Sequence, residues 1–341
     1  MGENIMRPIG LGLLTIGFIG TAYAHHSNDY HFDQNVAVTV TGVVNQFRFI
    51  NPHSRLIIDA LGDNGEVITW DCEMGAANGL QRRGWSDEVF KPGEKITIQG
   101  FAARHNETEC YFDYADMGDG RRITMTDEFE AGIHQTGAVA AAVVTPAGVS
   151  GLNGIWSRVT GGGGGGPQLG GANRQAWVLS EAGQRALAAY DPVLDDPALR
   201  CNPVSIVRLW GNGDLTQITE ESDRVTIHHE WMDAERIVHL GAREHPSETP
   251  ENVLGHSIGW YEGDTLVIDT IGYPAGMLHQ HPGLPHSDKL HTVERLTLNG
   301  AGDGFELAYT AEDSDYFIDK LTGTRTFEFT ISAMREYNCT H

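Results

Sequence analysis

The chain has 341 residues, with 23 Lys and Arg against 46 Asp and Glu and a formal net charge of −23. That balance argues against a nucleic-acid partner, because backbone binding depends on clustered cations that release counterions. Solubility and attraction to cations are the expected consequences, and the length suggests two domains.

At the N-terminus, Arg7 is followed by the apolar run IGLGLLTIGFIG and by Ala22-Tyr23-Ala24. This order matches a secretory signal peptide over residues 1–24, so the mature chain is expected to start at His25, in the periplasm or secreted. About twelve apolar residues are too few to span a bilayer, and no later stretch is long enough, so no integral membrane segment is expected after signal removal. In an exported chain the four cysteines favour disulfides. Cys72 and Cys110 fall early and Cys201 and Cys339 late. One bridge in each half is the expectation, with three connectivities open; no CxxC unit supports a metal site.

From Val36 to about Thr126 the chain reads as strands, VAVTVTGVVNQFRFI, SRLIIDAL, VITWDCEM, EKITIQGF, and a pair around CYFDYADM and RRITM, with a short helical run AANGLQRRG after the third. The first five of these strands, with a helix between the third and fourth, resemble an OB-type barrel, here placed in residues 25–126. Asp63-Asn64-Gly65 is a hairpin signal. Residues 127–150 lose the alternation and read as a linker.

The remainder, residues 151–341, opens on Gly154-Ile155-Trp156, which resembles the GxW opening of lipocalin-like barrels. The run Gly161–Gly166 lacks the pattern of a phosphate loop. LSEAGQRALAAYD predicts a helix capped by Ser180. After Cys201 the reading is strands almost throughout: IVRLW, LTQIT, RVTIHHEWM, ERIVHL, TLVIDTIGY, LHTVERLTL, FELAYTAE and TRTFEFTIS. The predicted fold class is therefore all-β, an OB-like barrel followed by an antiparallel β-barrel or sandwich of lipocalin-like type.

HHS near the mature N-terminus, TGVV followed by INPHSRL, the pair Gly84-Trp85, and KPGEKITIQGF resemble exported bacterial proteins grouped as domain of unknown function 6152. RCNP, GHSIG, EGDTLVIDT, PHS and ER resemble the β-rich segment that often accompanies that domain. The resemblance implies an exported β-rich protein and brings no settled activity with it. Tyr261 stands where the family usually has Trp before the EGDTL glutamate, which puts a family-wide ligand preference in question.

Two constellations carry chemistry. Cleavage after Ala24 would free the amine of His25, which with its imidazole could chelate one metal ion, His26, His31 or His53 adding a nitrogen; such a planar nitrogen set suits Cu(II). The second is GHSIGWYEGDTLVIDT followed by PHSDKLHTVER, which packs His256, Glu262, His286, His291 and Glu294 near loop signals, with His245 just before. A barrel can bring such groups to one mouth, where a His beside a carboxylate serves as general base and a second group donates a proton. His245, His256, Glu262, His286 and Glu294 are the candidate catalytic residues, and no GxSxG, HExxH or SxxK motif points elsewhere. The leading reading is a barrel that binds a small, apolar molecule and acts on it by lyase, isomerase or hydratase chemistry, with no cofactor required. A copper-binding protein is the alternative, and a non-catalytic interaction module the second.

Overall fold

The structure is a computed structural model, and it describes residues 31–129, 151–159, 178–191, 194–249, 252–279 and 283–340. The expected signal peptide with His25 and His26, the linker beyond Phe129 and the glycine run lie outside the described residues.

The first region forms β1 (Phe32–Arg48), β2 (Arg55–Leu61), β3 (Val67–Glu73), helix α1 (Ala77–Gln81), β4 (Lys95–Ala103), β5 (Glu109–Met117) and the short β6 (Arg122–Thr124). Alternation along these strands sends Val40, Leu56, Ile58, Ile96, Ile98 and Phe112 into one core, closed by Trp85 and Phe90. The long β1 pairs with both β2 and β4, β2 with β3, and β4 with β5. A parallel pairing of β3 with β5 then closes the ring in the OB order 1-2-3-5-4. Cys72 and Cys110 stand opposite each other in that seam, with Cα atoms 4.4 Å apart, and their disulfide staples it. The hairpin read at Asp63-Asn64-Gly65 joins β2 to β3, with Gly65 at φ 81°, a conformation open to glycine at little cost.

The second region contributes β7 (Gly154–Arg158), α2 (Glu181–Ala189), α3 (Ile206–Gly211), β8 (Thr216–Glu220), β9 (Arg224–His229), β10 (Ala234–Leu240), β11 (His256–Glu262) and β12 (Thr265–Ile271). A hairpin follows, β13 (Gly276–His279) and β14 (Leu284–His286), then β15 (His291–Leu298), β16 (Gly304–Glu312) and β17 (Leu321–Phe329). Nine of these strands close a barrel in the order β10-β11-β12-β15-β16-β17-β7-β8-β9. Closure removes exposed edges and makes the fold lipocalin-like. The predicted helix at LSEAGQRALAAYD is α2, where the Ser180 hydroxyl accepts from Gly183 N–H.

Two expectations are corrected. IVRLW, read as a strand, is the helix α3, capped by the Ser205 hydroxyl, which accepts from Arg208 N–H. A short, mostly apolar run without alternation suits a buried strand or a buried helix equally, and every residue of α3 is buried, Arg208 against Asp196. The barrel is also not wholly antiparallel, because β10 and β11 run parallel over Val238–Leu240 and Ser257–Gly259.

α3 packs against β13, with Ile206, Val207 and Leu209 in the covering cluster, and sends Trp210 alone into the barrel core. The Trp210 ring lies 4.7 Å from His229, 5.3 Å from Phe327 and 6.3 Å from Phe305, so three strands surround it. Around this ring the interior divides into an apolar layer, including Trp156, Leu266, Ile268, Leu296 and Phe305, and a covering layer that includes Leu254, Leu278, Leu284 and Phe317. Between them runs a polar belt. Arg236 meets Glu294 end-on at 2.6 and 2.9 Å, Trp210 Nε1 donates to the same carboxylate, Ser257 bonds Thr270 at 2.9 Å, and Tyr273 bonds Thr292 at 2.7 Å.

The C-terminal segment runs back over the OB-like barrel. Asn51 Nδ2 donates to Tyr337 O, Thr340 N–H donates to Asn51 O, and the Cys201–Cys339 disulfide anchors the segment to the second region. Beneath it Arg82 reaches from the end of α1 to Asp214, at 3.2 Å, and to the fully buried Glu230. Replacing Arg82 by Ala would leave two buried carboxylates without their counter-charge. It is expected to lower the urea denaturation midpoint by the equivalent of about 3 kcal/mol; an unchanged midpoint would mean that the junction does not depend on this residue.

Candidate functional site

β11 begins at the glycine that opens GHSIG. Gly255 has φ 68°, and a Cβ there would stand 2.7 Å from Thr270 Cγ2 and 2.8 Å from Ile271 O, so only glycine lets the chain turn into the strand this close to β12. Because β10 and β11 pair only from Val238 and Ser257 onward, the preceding residues splay apart. The gap is a cleft in the barrel wall of about 250 Å³, lined by Glu235, Arg236, Ile237, His239, Asn252, Leu254, Gly255, His256 and Ser257. Ile237 and Val253 are 40% and 41% exposed beside it, so its surroundings mix apolar and polar surface.

His256 and its neighbours form a hydrogen-bonded chain along this wall. His256 Nδ1 lies 2.9 Å from His245 Nδ1, His245 Nε2 lies 2.9 Å from Asp269 Oδ1, and His291 Nε2 meets both Asp269 oxygens at 3.0 and 3.1 Å. The His239 ring stacks on His256 at 5.2 Å. Pairing sets this convergence: Ile268 and Thr270 are buried in the barrel, and the period of two turns Asp269 between them outward, next to the open end of β11. His291 begins the neighbouring β15 on the same face, and His245 comes from the loop after β10.

The charges follow from the geometry. Burial pushes the Asp269 carboxyl up, but the hydrogen bonds from His291 and His245 prevail and hold it below the usual carboxylate range. The Asp269 bond raises the His291 pKa against the opposing effect of burial. Burial, then the nearby His245 and His239, lower that of His256, which favours its neutral ring. The tautomers that satisfy the chain have His245 donate through Nε2 to Asp269 and accept through Nδ1 from His256. His256 then carries a basic lone pair on Nε2, and a carboxylate two residues back in the chain stabilises the proton it takes up.

The five candidate residues do not gather at one mouth. His245 and His256 meet in this chain. Glu262 sits at the far end of β11, some 20 Å away at strand rise, where it is ion-paired with Arg295 at 2.6 Å and accepts from Trp260 Nε1 at 2.9 Å. Those partners, Arg295 first, lower its pKa. Glu294 is 1% exposed and engaged by Arg236 and Trp210 in the polar belt. His286 lies in the covering hairpin, its Nδ1 3.0 Å from Ser287 O, with its pKa lowered by burial. Of the candidate metal ligands, His53 follows the cis Asn51–Pro52 bond and faces Glu73 at 3.4 Å.

Sequence reasoning missed Asp269 and His239. TLVIDTIGY reads as strand, and the one signal was a carboxylate inside an otherwise apolar strand. His239 likewise sat inside ERIVHL. Among the described residues no group of three or more His, Cys, Asp or Glu is disposed to hold a metal ion, and no helix is long and apolar enough to cross a membrane.

Fold and site together define an all-β protein with an OB-like barrel and a lipocalin-like barrel that carries a His–His–Asp chain on its wall. Residues 14–111 match the model of a family of unknown function, DUF6152, which bears out the resemblance over the first region. No curated protein matches the chain. Among solved structures it is similar to the wild-type fluorescent protein UnaG, at 14% identity and TM-score 0.24 over 52% of this chain and 97% of that one. It is also similar to a secretary abundant heat soluble (SAHS) protein from Ramazzottius varieornatus, at 12% identity and TM-score 0.21 over 52% and 95%.

Proposed function

We propose that this is an exported protein that binds a small molecule in the β10–β11 cleft and acts on it by acid/base chemistry of the lyase, isomerase or hydratase type. The observation that carries the reading is the chain His256–His245–Asp269 beside a cleft that His256 itself lines. His256 Nε2 is the base, His245 relays, and Asp269 fixes the relay's tautomer and stabilises the cation. At about 250 Å³ the cleft lies below the usual range for drug-sized ligands, which favours a compact substrate. The mixed lining favours a ligand with both polar and apolar parts. Two disulfides, Cys72–Cys110 and Cys201–Cys339, support an oxidising compartment.

Proton abstraction can be read without knowing the natural substrate. A panel of small hydroxy and carbonyl compounds is incubated with the protein in D2O, and deuterium at carbon is followed by NMR. Exchange is expected for at least one compound with the parent protein and should fall on the order of a hundredfold for His256→Ala. Glu262→Gln, far from the cleft and on the surface, is expected to leave both exchange and melting temperature unchanged. Equal exchange in the parent and His256→Ala would overturn the assignment of the base.

A further inference from the structure

Buried arginines in this barrel are paired, Arg236 with Glu294 and Arg208 with Asp196. Arg325 is not. It stands on β17 opposite Leu307, in the row of side chains that forms the barrel core, and is 5% exposed. Its Nη1 donates to Thr324 O at 2.7 Å, whereas Nε and Nη2 are buried with no acceptor. Those two N–H groups share one edge of the guanidinium and point the same way, a fork that matches two oxygens of a carboxylate, phosphate or sulfate.

A second arginine stands beside it. Arg158 on β7 pairs with Phe327, which places it on the same face as Arg325 and diagonally next to it. Its Nε donates to Asn212 O at 3.1 Å. Burial first, then the charge of Arg325, press its pKa down, so the two cations sense one another. Neither has a carboxylate partner among the described residues, and residues 160–177, which follow Arg158, contain no Asp or Glu. Tyr309 is the aromatic neighbour of Arg325: the ring lies 5.9 Å from the guanidinium, and burial raises the hydroxyl pKa while the charge and hydrogen bond of Arg325 lower it, so a neutral phenol stands there and leaves the charge uncompensated. A guanidinium does not lose its proton in a protein, so burial of this one calls for an anion.

We infer that Arg325 and Arg158 form a binding site for a small oxyanion, with the Nε/Nη2 edge of Arg325 taking two of its oxygens and Arg158 supplying the second positive charge. β7 pairs with β17 over Phe327–Phe329, and Val159 N–H reaches Thr326 O, so the end of β7 lies beside Arg325. In the strand order of the barrel this lies across from the β10–β11 cleft, and the inference is independent of the chemistry proposed there.

The test is calorimetric titration of the full chain, exchanged into chloride, with inorganic phosphate, sulfate and acetate in separate runs at one ionic strength. Saturable binding of at least one oxyanion is expected, weakened at least tenfold in Arg325→Met and severalfold in Arg158→Met. Arg325→Lys keeps the charge but loses the fork and should also bind at least tenfold more weakly. A preference for phosphate or sulfate assigns a tetrahedral group, and one for acetate assigns a carboxylate. Because no carboxylate depends on Arg325, Arg325→Met should melt no lower than the parent in chloride; if it fails to fold, Arg325→Lys and Arg158→Met decide. Absence of saturable binding in the parent, or undiminished affinity in the folded variants, overturns the site.

Discussion

Glu294→Gln is expected to destabilise the second barrel by about 3–5 kcal/mol, read as a shift of the urea denaturation midpoint. The change keeps size and most hydrogen bonding but removes the charge opposite Arg236, which is 3% exposed and meets the carboxylate through both Nη atoms. A buried guanidinium then stands uncompensated, and the Trp210 Nε1 donor faces a weaker acceptor. Replacing both partners, Arg236→Met with Glu294→Met, should recover most of the loss, because removing a pair is far less costly than breaking one. If the single and double variants unfold alike, the pair is not what holds the belt.

Asp269→Asn is expected to lower turnover at the cleft by on the order of a hundredfold or more without unfolding the chain. The amide cannot hold His245 in the tautomer that feeds His256, nor stabilise the cation that forms. In the parent, activity should require neutral His256 and fall away on the acid side, below the ordinary histidine value of about 6.5, since the pKa of His256 is lowered. Stability follows the same signs. A depressed histidine contributes stability that is present above its unfolded value and lost as pH falls through the folded one. His291, raised by Asp269, contributes stability present below the unfolded value and lost as pH rises through the folded one. NMR titration of the ring protons should therefore show His256 titrating below and His291 above an unfolded control; the reverse order would refute the hydrogen-bond assignment.

Strand alternation and turn residues carried most of the fold. The OB-like order followed from five alternating runs and a short helix, and the pairing Cys72–Cys110 followed from position along the chain. α3 was missed because IVRLW is too short to show a period and carries a charge, Arg208, at its centre; what buries it is Asp196 and a covering layer assembled from residues far away in sequence. The site was half legible. His245 and His256 stood out as histidines in or next to loop signals, but Glu262 was grouped with them because it is near in sequence, although a strand carries a residue six positions on to the far end of the barrel. Glu294 looked like an acid in a polar run, yet only the closed barrel shows that its partner is Arg236, 58 residues earlier. Asp269 became visible through register, which alone sets it against His245 and His291.

The Trp210 side chain also bears on assembly. α3 precedes eight of the nine barrel strands in the chain, and β9, β16 and β17, which surround Trp210, all follow it, so the ring is enclosed only when these strands meet. Strands this distant in sequence pair slowly. Until they meet, the ring of Trp210 stands in water, and afterwards it is 1% exposed among aromatic neighbours. Its fluorescence, isolated by difference against Trp210→Phe, would time the moment at which the ring of strands shuts.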